Sequence, residues 1–320
     1  LTGMYSLAWG GWWYVFDFVL IAYLVYLVHS LITSNKKTTN SNLKRQSRKN
    51  ILIIGIVLLL SSAIFVSTFT SFDSFKNGFL SPIDFTKIKD VAVDRIWPNV
   101  LTTVAEQNEA GIDSLISNIG GKFLFIIALM GIILALTKKD SKNINDLWFI
   151  LFSAIWYTVI ILSFTNPELI TFLILLLIPI ALKIILSTMK KEVNVNLMVA
   201  SLITVWILST LYAGTKGIRW VLLLVPAFSI AMGIALGVLY KYLHNTISNE
   251  FKVHKILSKL AVIILLSLLL LGPWNAAKSI AQNSIPSMND AWYNSLDKIN
   301  REGAPDAIIN SWWDFGHWFK

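Results

Sequence analysis

The sequence contains no cysteine and few charged side chains, and both scarcities limit what the protein can be. Without cysteine, a disulfide, a thiolate nucleophile and a cysteine metal site are all excluded. Only 14% of the residues are charged, whereas soluble globular domains average about a quarter. A His-Glu-x-x-His zinc motif, a glycine-rich phosphate loop and a Ser/His/Asp order are also missing from the chain. The low charge content is unlike that of a soluble globular domain and favours a membrane protein.

Apolar residues are abundant instead, at 55% of the chain, and the mean hydropathy is +0.65. A run of about 20 apolar residues suffices to cross a hydrocarbon core of about 30 Å. The chain is therefore predicted to be an α-helical, multi-pass integral membrane protein. Eight spans are predicted, at 7–32, 51–68, 122–136, 147–164, 169–187, 197–213, 220–240 and 256–274. The third is expected to extend back through the segment around Ile116.

The distribution of basic residues predicts which loops face the cytoplasm. Alternating spans place four loops on one side, at 33–50, 137–146, 188–196 and 241–255. These loops hold fourteen of the 27 Lys and Arg residues, and short cytoplasmic loops carry such an excess. The net charge of +9 is accordingly explained by basic cytoplasmic loops, and no nucleic-acid partner is expected. The loop 69–121 and the segment 275–320 then lie outside, on the same face as Arg219.

Two domains are predicted from this pattern. Residues 1–274 form the transmembrane domain, and residues 275–320 begin an extracytoplasmic mixed α/β domain. Within the second, Ala307-Ile308-Ile309 is apolar between polar neighbours, which indicates a short strand. The chain begins at Leu1 without an initiator methionine and ends at Lys320 directly after an aromatic cluster. It is therefore expected to be an internal fragment of a longer protein.

The external loop contains Thr103-Val-Ala-Glu106, for which two interpretations are open. A threonine followed three residues later by glutamate is the capping box that satisfies the first amides of a helix. Alternatively, Glu106 is an external carboxylate that binds a hard divalent cation, Mg²⁺ or Mn²⁺, since such ions prefer oxygen ligands.

Arg219 opens the span at 220–240 and also has two interpretations. It can lie at the interface beside Trp220, where aromatic and basic residues commonly anchor a span. Alternatively it binds an anion, because a guanidinium presents a fixed fork of donors that suits phosphate or diphosphate oxygens.

The last residues include Ser311-Trp312-Trp313-Asp314-Phe315-Gly316. An ordinary core or an interfacial aromatic belt could account for the tryptophans. Adjacent residues of a strand point to opposite faces, however, so one core does not hold both simply. The indole N–H donates and the Asp314 carboxylate accepts. A Trp-Trp-Asp cluster can therefore bind a peptide hydroxyl and shield it from water.

Asp17 and the four histidines are the remaining candidates for a functional site. Asp17 is unusual at membrane depth, so it is either functional or directed at other helices near the interface. His29, His244, His254 and His317 have no metal-binding spacing and are expected to be solvated or interfacial.

Together these segments resemble motifs of the catalytic subunit of oligosaccharyltransferases, the enzymes that glycosylate asparagine. WWDFG at 312–316 is similar to the family's WWDYG signature, with Phe315 in place of tyrosine. TVAE at 103–106 resembles its external-loop motif, and KGIRWVLLLVPAFSIAMGIALG resembles the span that begins with the donor-binding arginine. SLAWGGWWYVFDFVL at 6–20 resembles a Trp-Gly-Gly span. The four segments occur in the family's order.

The resemblance implies a GT-C-type membrane fold and a role for each matching residue. Trp312, Trp313 and Asp314 would grip the hydroxyl of the N-x-S/T acceptor, within a motif that includes Gly316. Glu106, in the motif that begins at Thr103, would help hold the divalent metal. Arg219 would bind the diphosphate of the lipid-linked oligosaccharide.

The resemblance also implies where the enzyme would act and what the chain would lack. Oligosaccharide would pass to an asparagine amide on the extracytoplasmic face of the plasma membrane, in a single-subunit enzyme surrounded by membrane lipid. The family's main catalytic acids are expected before Leu1, so no catalytic acid is assigned within 1–320. Residues 1–320 alone are then expected to be inactive.

Three other classes remain open on the residues alone. A transporter would place ionisable residues deep in several spans, but 51–68 and 197–213 contain no charged residue, and 122–136 contains only Lys122 at its first position. Another polyprenyl-phosphate-sugar glycosyltransferase would not need a Trp-Trp-Asp clamp for a peptide. A scaffolding membrane subunit would have no activity.

Overall fold

The computed structural model of the chain describes residues 2–33, 41–87, 105–137, 144–163, 168–190, 196–284 and 288–311. The chain divides into two compact units, Leu1–Leu268 and Leu269–Lys320.

The described part of the first unit is built from α-helices and a few short 3₁₀ turns. The α-helices are α1 Thr2–Ala8, α2 Trp13–Thr33, α3 Ser41–Phe69, α4 Phe72–Gly78, α5 Ser81–Thr86, α6 Ile112–Asn118, α7 Lys122–Leu136, α8 Ile144–Ser163, α9 Leu169–Met189, α10 Leu197–Lys216, α11 Val221–Asn249 and α12 Lys255–Ser267.

Seven helical stretches of the described chain are long and apolar enough to cross a membrane, and the bent pair α6–α7 would make an eighth. The seven are Gly10–Thr33, Lys49–Phe69, Ile144–Ser163, Leu169–Met189, Leu197–Lys216, Ile218–Asn249 and Lys255–Asn283. The prediction of an α-helical, multi-pass integral membrane protein with about eight spans is therefore confirmed.

The third predicted span is interrupted in the structure. α6 and α7 meet at 84°, so the segment around Ile116 is a separate short helix rather than a straight extension of α7. Gly120 and Gly121 form the bend with φ angles of 110° and 92°. Glycine adopts these left-handed values readily because it has no Cβ to clash with the backbone.

α7 is the centre of the core, and α8, α9, α10 and α11 pack around it. Its tightest contact is with α11 at Gly131. A Cβ built on Gly131 would lie 1.9 Å from the carbonyl oxygen of Ala231 and 3.3 Å from the backbone nitrogen of Ala235. Inside a lipid bilayer, helices gain from such close backbone approach, which only small residues allow.

Pro179 in α9 and Pro226 in α11 lie inside their spans, and in each case a tryptophan of the preceding helix donates to a carbonyl in the turn before the proline. Pro179 in α9 cannot donate to the carbonyl of Leu175, four residues earlier. The indole N–H of Trp156 in α8 donates to that carbonyl at 2.9 Å. A carbonyl left free in hydrocarbon would cost several kcal/mol, about 4–8 on the strictest transfer scale. In α11, which contains Pro226, Trp206 of α10 donates to the carbonyl of Leu223 at 2.7 Å.

Polar side chains also join neighbouring spans near their ends. Lys183 of α9 pairs with Asp146 of α8, and its ammonium lies 5.2 Å from the centre of the Phe149 ring. His29 of α2 is only 4% exposed, and its Nδ1 lies 2.7 Å from the Thr188 hydroxyl oxygen. The expectation that His29 is solvated was therefore wrong, because its ring is buried and has a hydroxyl partner on α9.

The second unit contains two helices in its described part, α13 Leu271–Asn283 and α14 Asp290–Glu302. Asn289 caps α14 by accepting the backbone N–H of Trp292 at 3.0 Å. The short strand predicted at 307–309 is absent: these residues have no regular structure, and no strand occurs in the described part of this unit. The mixed α/β character of the domain remains a prediction.

Candidate functional site

The loop that contains Glu106 is docked against the turn that contains Arg219. The backbone N–H of Ile218 donates to the carbonyl of Asn108 at 3.0 Å. Beside this bond, Gln107 is buried, and a Cβ on Gly217 would lie 3.0 Å from its Oε1 atom. Glycine at 217 therefore lets the two turns approach closely. The two candidate residues that the sequence placed on one face belong to adjoining turns.

Glu106 lies in the middle of the short 3₁₀ turn Ala105–Gln107 and is exposed. Its neighbour Gln107 is directed into the protein, which leaves the Glu106 carboxylate accessible for a ligand. Thr103 lies outside the described residues, so the capping-box interpretation stays open.

Arg219 lies in the 3₁₀ turn Ile218–Trp220, directly before α11. It is exposed, its guanidinium carbon is 5.4 Å from the centre of the Trp220 ring, and no carboxylate in the described part of the chain pairs with it. The amino-terminal end of a long helix favours anions, since its backbone N–H groups are unpaired and the helix dipole is positive there. Arg219 and the start of α11 thus offer favourable electrostatics for an anion.

Six aromatic rings form a continuous wall next to this turn, and we call this set the aromatic wall. Their centroids follow one another at 5.5 Å (Phe18 to Tyr14), 5.7 Å (Tyr14 to Trp9), 6.3 Å (Trp9 to Trp220), 5.5 Å (Trp220 to Phe85) and 6.2 Å (Phe85 to Trp13). These spacings are those of interacting ring pairs. The wall therefore links the start of α2, α5 and the Arg219 turn.

The aromatic wall borders a cavity of about 620 Å³, which is also lined by residues of α9 and α10. Among the described residues, Asp17 is the one acidic residue in this lining, and no basic residue lines it. Asp17 is 8% exposed, and its Oδ2 atom has no hydrogen-bond partner in the described part of the chain. The sequence left open whether Asp17 is functional or is directed at other helices, and the structure shows that it lines a cavity.

The remaining predicted site residues cannot be located. Trp312, Trp313, Asp314 and Gly316 lie outside the described residues, together with Phe315 and His317. Within the described ranges, no three His, Asp or Glu side chains come together as a metal site. Glu106 is therefore not part of a complete metal site within the described residues.

Sequence reasoning missed the residues that hold the site together. Asn108 takes part through its backbone carbonyl, which no side-chain pattern could indicate. The role of Gly217 depends on a neighbour more than a hundred positions away in sequence. The aromatic residues of the Trp-Gly-Gly segment were visible, but their alignment with Phe85 and Trp220 required the fold.

Comparison with known proteins adds two archaeal relatives. The chain is 27% identical to a dolichyl-phosphooligosaccharide-protein glycotransferase of Methanococcus voltae over 99% of its length and 38% of that protein. It is 24% identical to a protein of the same name from Methanocaldococcus jannaschii, over 99% of its length and 35% of that protein. The chain thus spans little more than a third of these curated relatives. No protein-family model and no solved structure matches it. The resemblance to oligosaccharyltransferase catalytic subunits is confirmed by relatives that align with nearly the whole chain.

Proposed function

We propose that this chain is part of an oligosaccharyltransferase that moves an oligosaccharide from a polyprenyl- or dolichyl-type (di)phosphate carrier to the asparagine amide of N-x-S/T sites. The reaction would take place on the extracytoplasmic face of the plasma membrane, in a single-subunit enzyme. The observation that carries the proposal is the docking of the Glu106 turn on the Arg219 turn through Ile218 and Asn108. The printed names of the two relatives support the same reaction class.

Arg219 would bind the diphosphate of the donor. It is exposed and free of carboxylate partners in the described chain, and it precedes the positive end of α11. Its stacking on Trp220 restricts the guanidinium, so less conformational entropy is lost when the anion binds. A lysine at this position would keep the charge but lose the planar fork of donors.

Glu106 would contribute one oxygen ligand to Mg²⁺ or Mn²⁺. An exposed carboxylate next to an anion-binding arginine fits a hard cation that also contacts phosphate oxygens. When bound, such a cation neutralises charge on the diphosphate and makes it a better leaving group. The described residues do not complete the metal site, so its other ligands remain unassigned.

The acceptor would be held by Trp312, Trp313 and Asp314. Indole N–H donors and a carboxylate acceptor can bind the hydroxyl of the Ser or Thr two residues after the asparagine. Phe315 lacks the hydroxyl of the family's tyrosine, so the clamp would act without that group.

The test is an oligosaccharide-transfer assay with the full-length protein in detergent. A lipid-linked oligosaccharide is offered with a fluorescent peptide that contains Asn-x-Thr, and product is followed by its mobility shift. Arg219→Ala is expected to lower transfer by about 100-fold, because a charge-assisted contact to phosphate is lost. Glu106→Gln is expected to raise the concentration of Mn²⁺ that gives half-maximal rate.

Matched controls lie close to the same two turns in sequence. Lys216→Gln removes a cation three residues before Arg219, and Glu109→Gln removes a carboxylate three residues after Glu106; both are expected to transfer at the wild-type rate. Transfer to a Gln-x-Thr peptide at the same rate as to Asn-x-Thr would contradict the acceptor. Wild-type activity of Arg219→Ala would contradict the donor site.

A further inference from the structure

The cavity beside the aromatic wall has a chemical composition that the proposed reaction does not explain. Its lining is almost wholly apolar, yet Asp17 lies in it at 8% exposure, without a hydrogen-bond partner for Oδ2 in the described chain. A buried carboxylate without a partner costs several kcal/mol, about 3–5 when its cation is removed. A hydrocarbon chain in the cavity would leave that cost uncompensated.

Aromatic rings surround the same space on the side of α2, α5 and the Arg219 turn. Tryptophan and tyrosine faces attract cations through the ring quadrupole, and the attraction grows when the cation is desolvated. Tyr14, Trp9 and Trp220 are consecutive members of the wall, with centroids 5.7 and 6.3 Å apart. Several rings and one carboxyl around a cavity of about 620 Å³ are the combination that recognises organic ammonium groups.

We infer that this cavity is a binding site for an alkylammonium group, with Asp17 as its counter-ion and the rings of the aromatic wall as its cage. Among the residues that the structure describes, no lysine, arginine or histidine lines the cavity, so the ligand would bring the positive charge. Neither Glu106 nor Arg219 lines the cavity, and the two sites share only Trp220, which belongs to the wall and contacts Arg219.

The depth of Asp17 fits a ligand at the membrane surface. Seven residues separate Asp17 from Gly10, where the span begins, which corresponds to about 10 Å of helix. The polar layer of a bilayer leaflet is about 5–8 Å thick, so Asp17 lies just beneath it, where an ammonium group that enters the cavity from the surface can reach the carboxyl. The ammonium could therefore belong to a lipid head group or to a free amine, and the two sources share the same chemistry.

Equilibrium dialysis of the full-length protein in an uncharged maltoside detergent tests the site. The probes are radiolabelled choline and its uncharged carbon isostere, 3,3-dimethylbutan-1-ol. Wild-type protein is expected to bind choline at least about tenfold more tightly than the isostere, since only choline gains the cation–π and ion-pair contacts. Equal binding of the two probes would overturn the ammonium site.

Two variants separate the contributions of charge and ring. Asp17→Asn keeps the shape of the side chain and is expected to weaken choline binding about tenfold without changing isostere binding. Phe85→Leu is expected to weaken choline binding by about threefold. Asp113→Asn, outside the cavity, is the control and should bind as wild type. Unchanged choline binding by Asp17→Asn would refute the role of Asp17.

Asp17→Asn also carries its own folding control. Removal of a buried, unpaired carboxyl should leave its melting temperature equal to or above that of wild type. Choline should raise the melting temperature of wild type but not of Asp17→Asn. A folded Asp17→Asn protein that choline still stabilises to the wild-type extent would refute the site.

The source of the ammonium is resolved with monomeric short-chain lipids. Dihexanoylphosphatidylcholine is compared with dihexanoylphosphatidylglycerol, which has the phosphate and chains but no ammonium. Preference for the choline lipid over both its glycerol counterpart and free choline assigns the site to a lipid head group. Binding of free choline alone assigns it to a free amine. Binding of a polyprenyl phosphate but of no ammonium compound would overturn the inference.

Discussion

The crossing of α7 and α11 makes a sharp prediction about Gly131. A Cβ at this position would lie 1.9 Å from the carbonyl oxygen of Ala231 and 2.8 Å from the carbonyl carbon. Ordinary Cα–H···O contacts have carbon–oxygen distances of about 3.3–3.6 Å. Gly131→Ala therefore requires the two helices to separate by roughly 1.4 Å, from 1.9 to about 3.3 Å.

The cost of that separation follows from packing. A radial gap of about 1 Å already forfeits a quarter to a half of each contact along the crossing. The clash is with backbone, which cannot rotate away, so the penalty should reach the upper part of the usual range of about 1–3 kcal/mol. We expect Gly131→Ala to lower the free energy of unfolding by about 3 kcal/mol, roughly a hundredfold in the folding equilibrium.

Gly233 provides a matched control on α11. A Cβ at this position meets nothing within 4 Å, so Gly233→Ala should be neutral or stabilising by up to about 1 kcal/mol through helix propensity. Equilibrium unfolding in mixed micelles with increasing sodium dodecyl sulfate, followed by circular dichroism, measures both variants. Equal stability of Gly131→Ala and Gly233→Ala would refute the close crossing.

Three further outcomes are expected. Gly217→Leu should push Gln107 away and lower oligosaccharide transfer at least about tenfold. The control Gly111→Ala, whose Cβ meets nothing within 4 Å, should transfer normally, and full activity of Gly217→Leu would show that the docking is dispensable. Trp156→Phe should destabilise the protein by about 1–3 kcal/mol because it removes the donor to the Leu175 carbonyl. The control Trp148→Phe, at an exposed position, should not destabilise it, and equal melting temperatures of the two variants would argue against the hydrogen bond. A double-mutant cycle of Asp146→Asn and Lys183→Met should give a coupling of about 1–3 kcal/mol for the ion pair, and a coupling near zero would mean that the pair adds nothing.

The sequence predicted the features that depend on long apolar runs. Each of the predicted spans overlaps an apolar helix of the structure, because hydrophobic length is a local property that bilayer thickness fixes. Features that depend on tertiary contacts were harder to predict from the sequence. The bend at Gly120 and Gly121 depends on backbone angles that the apolar pattern does not encode, and the burial of His29 depends on Thr188 in another span.

For the candidate site, the residues themselves were easier to identify than their arrangement. Glu106 lies in the predicted loop 69–121 and Arg219 at the end of a predicted span, so the predicted topology alone placed them on one face. Their docking depends on the backbone carbonyl of Asn108 and on the absence of a side chain at Gly217. Neither feature can be recognised from residue types in the sequence. The unpaired state of Asp17 likewise depends on what surrounds it in space.

The pairing of tryptophans with proline-containing spans has a mechanical consequence. Pro179 and the Leu175 carbonyl that it leaves free would make α9 a natural hinge, yet the indole of Trp156 on α8 occupies that carbonyl. The Trp206 indole of α10 donates to the Leu223 carbonyl in the turn before Pro226. Sliding either pair of helices by one residue would break one of these hydrogen bonds, and the hydrocarbon holds no water to replace it. The two bonds therefore oppose sliding within the helix pairs α8–α9 and α10–α11.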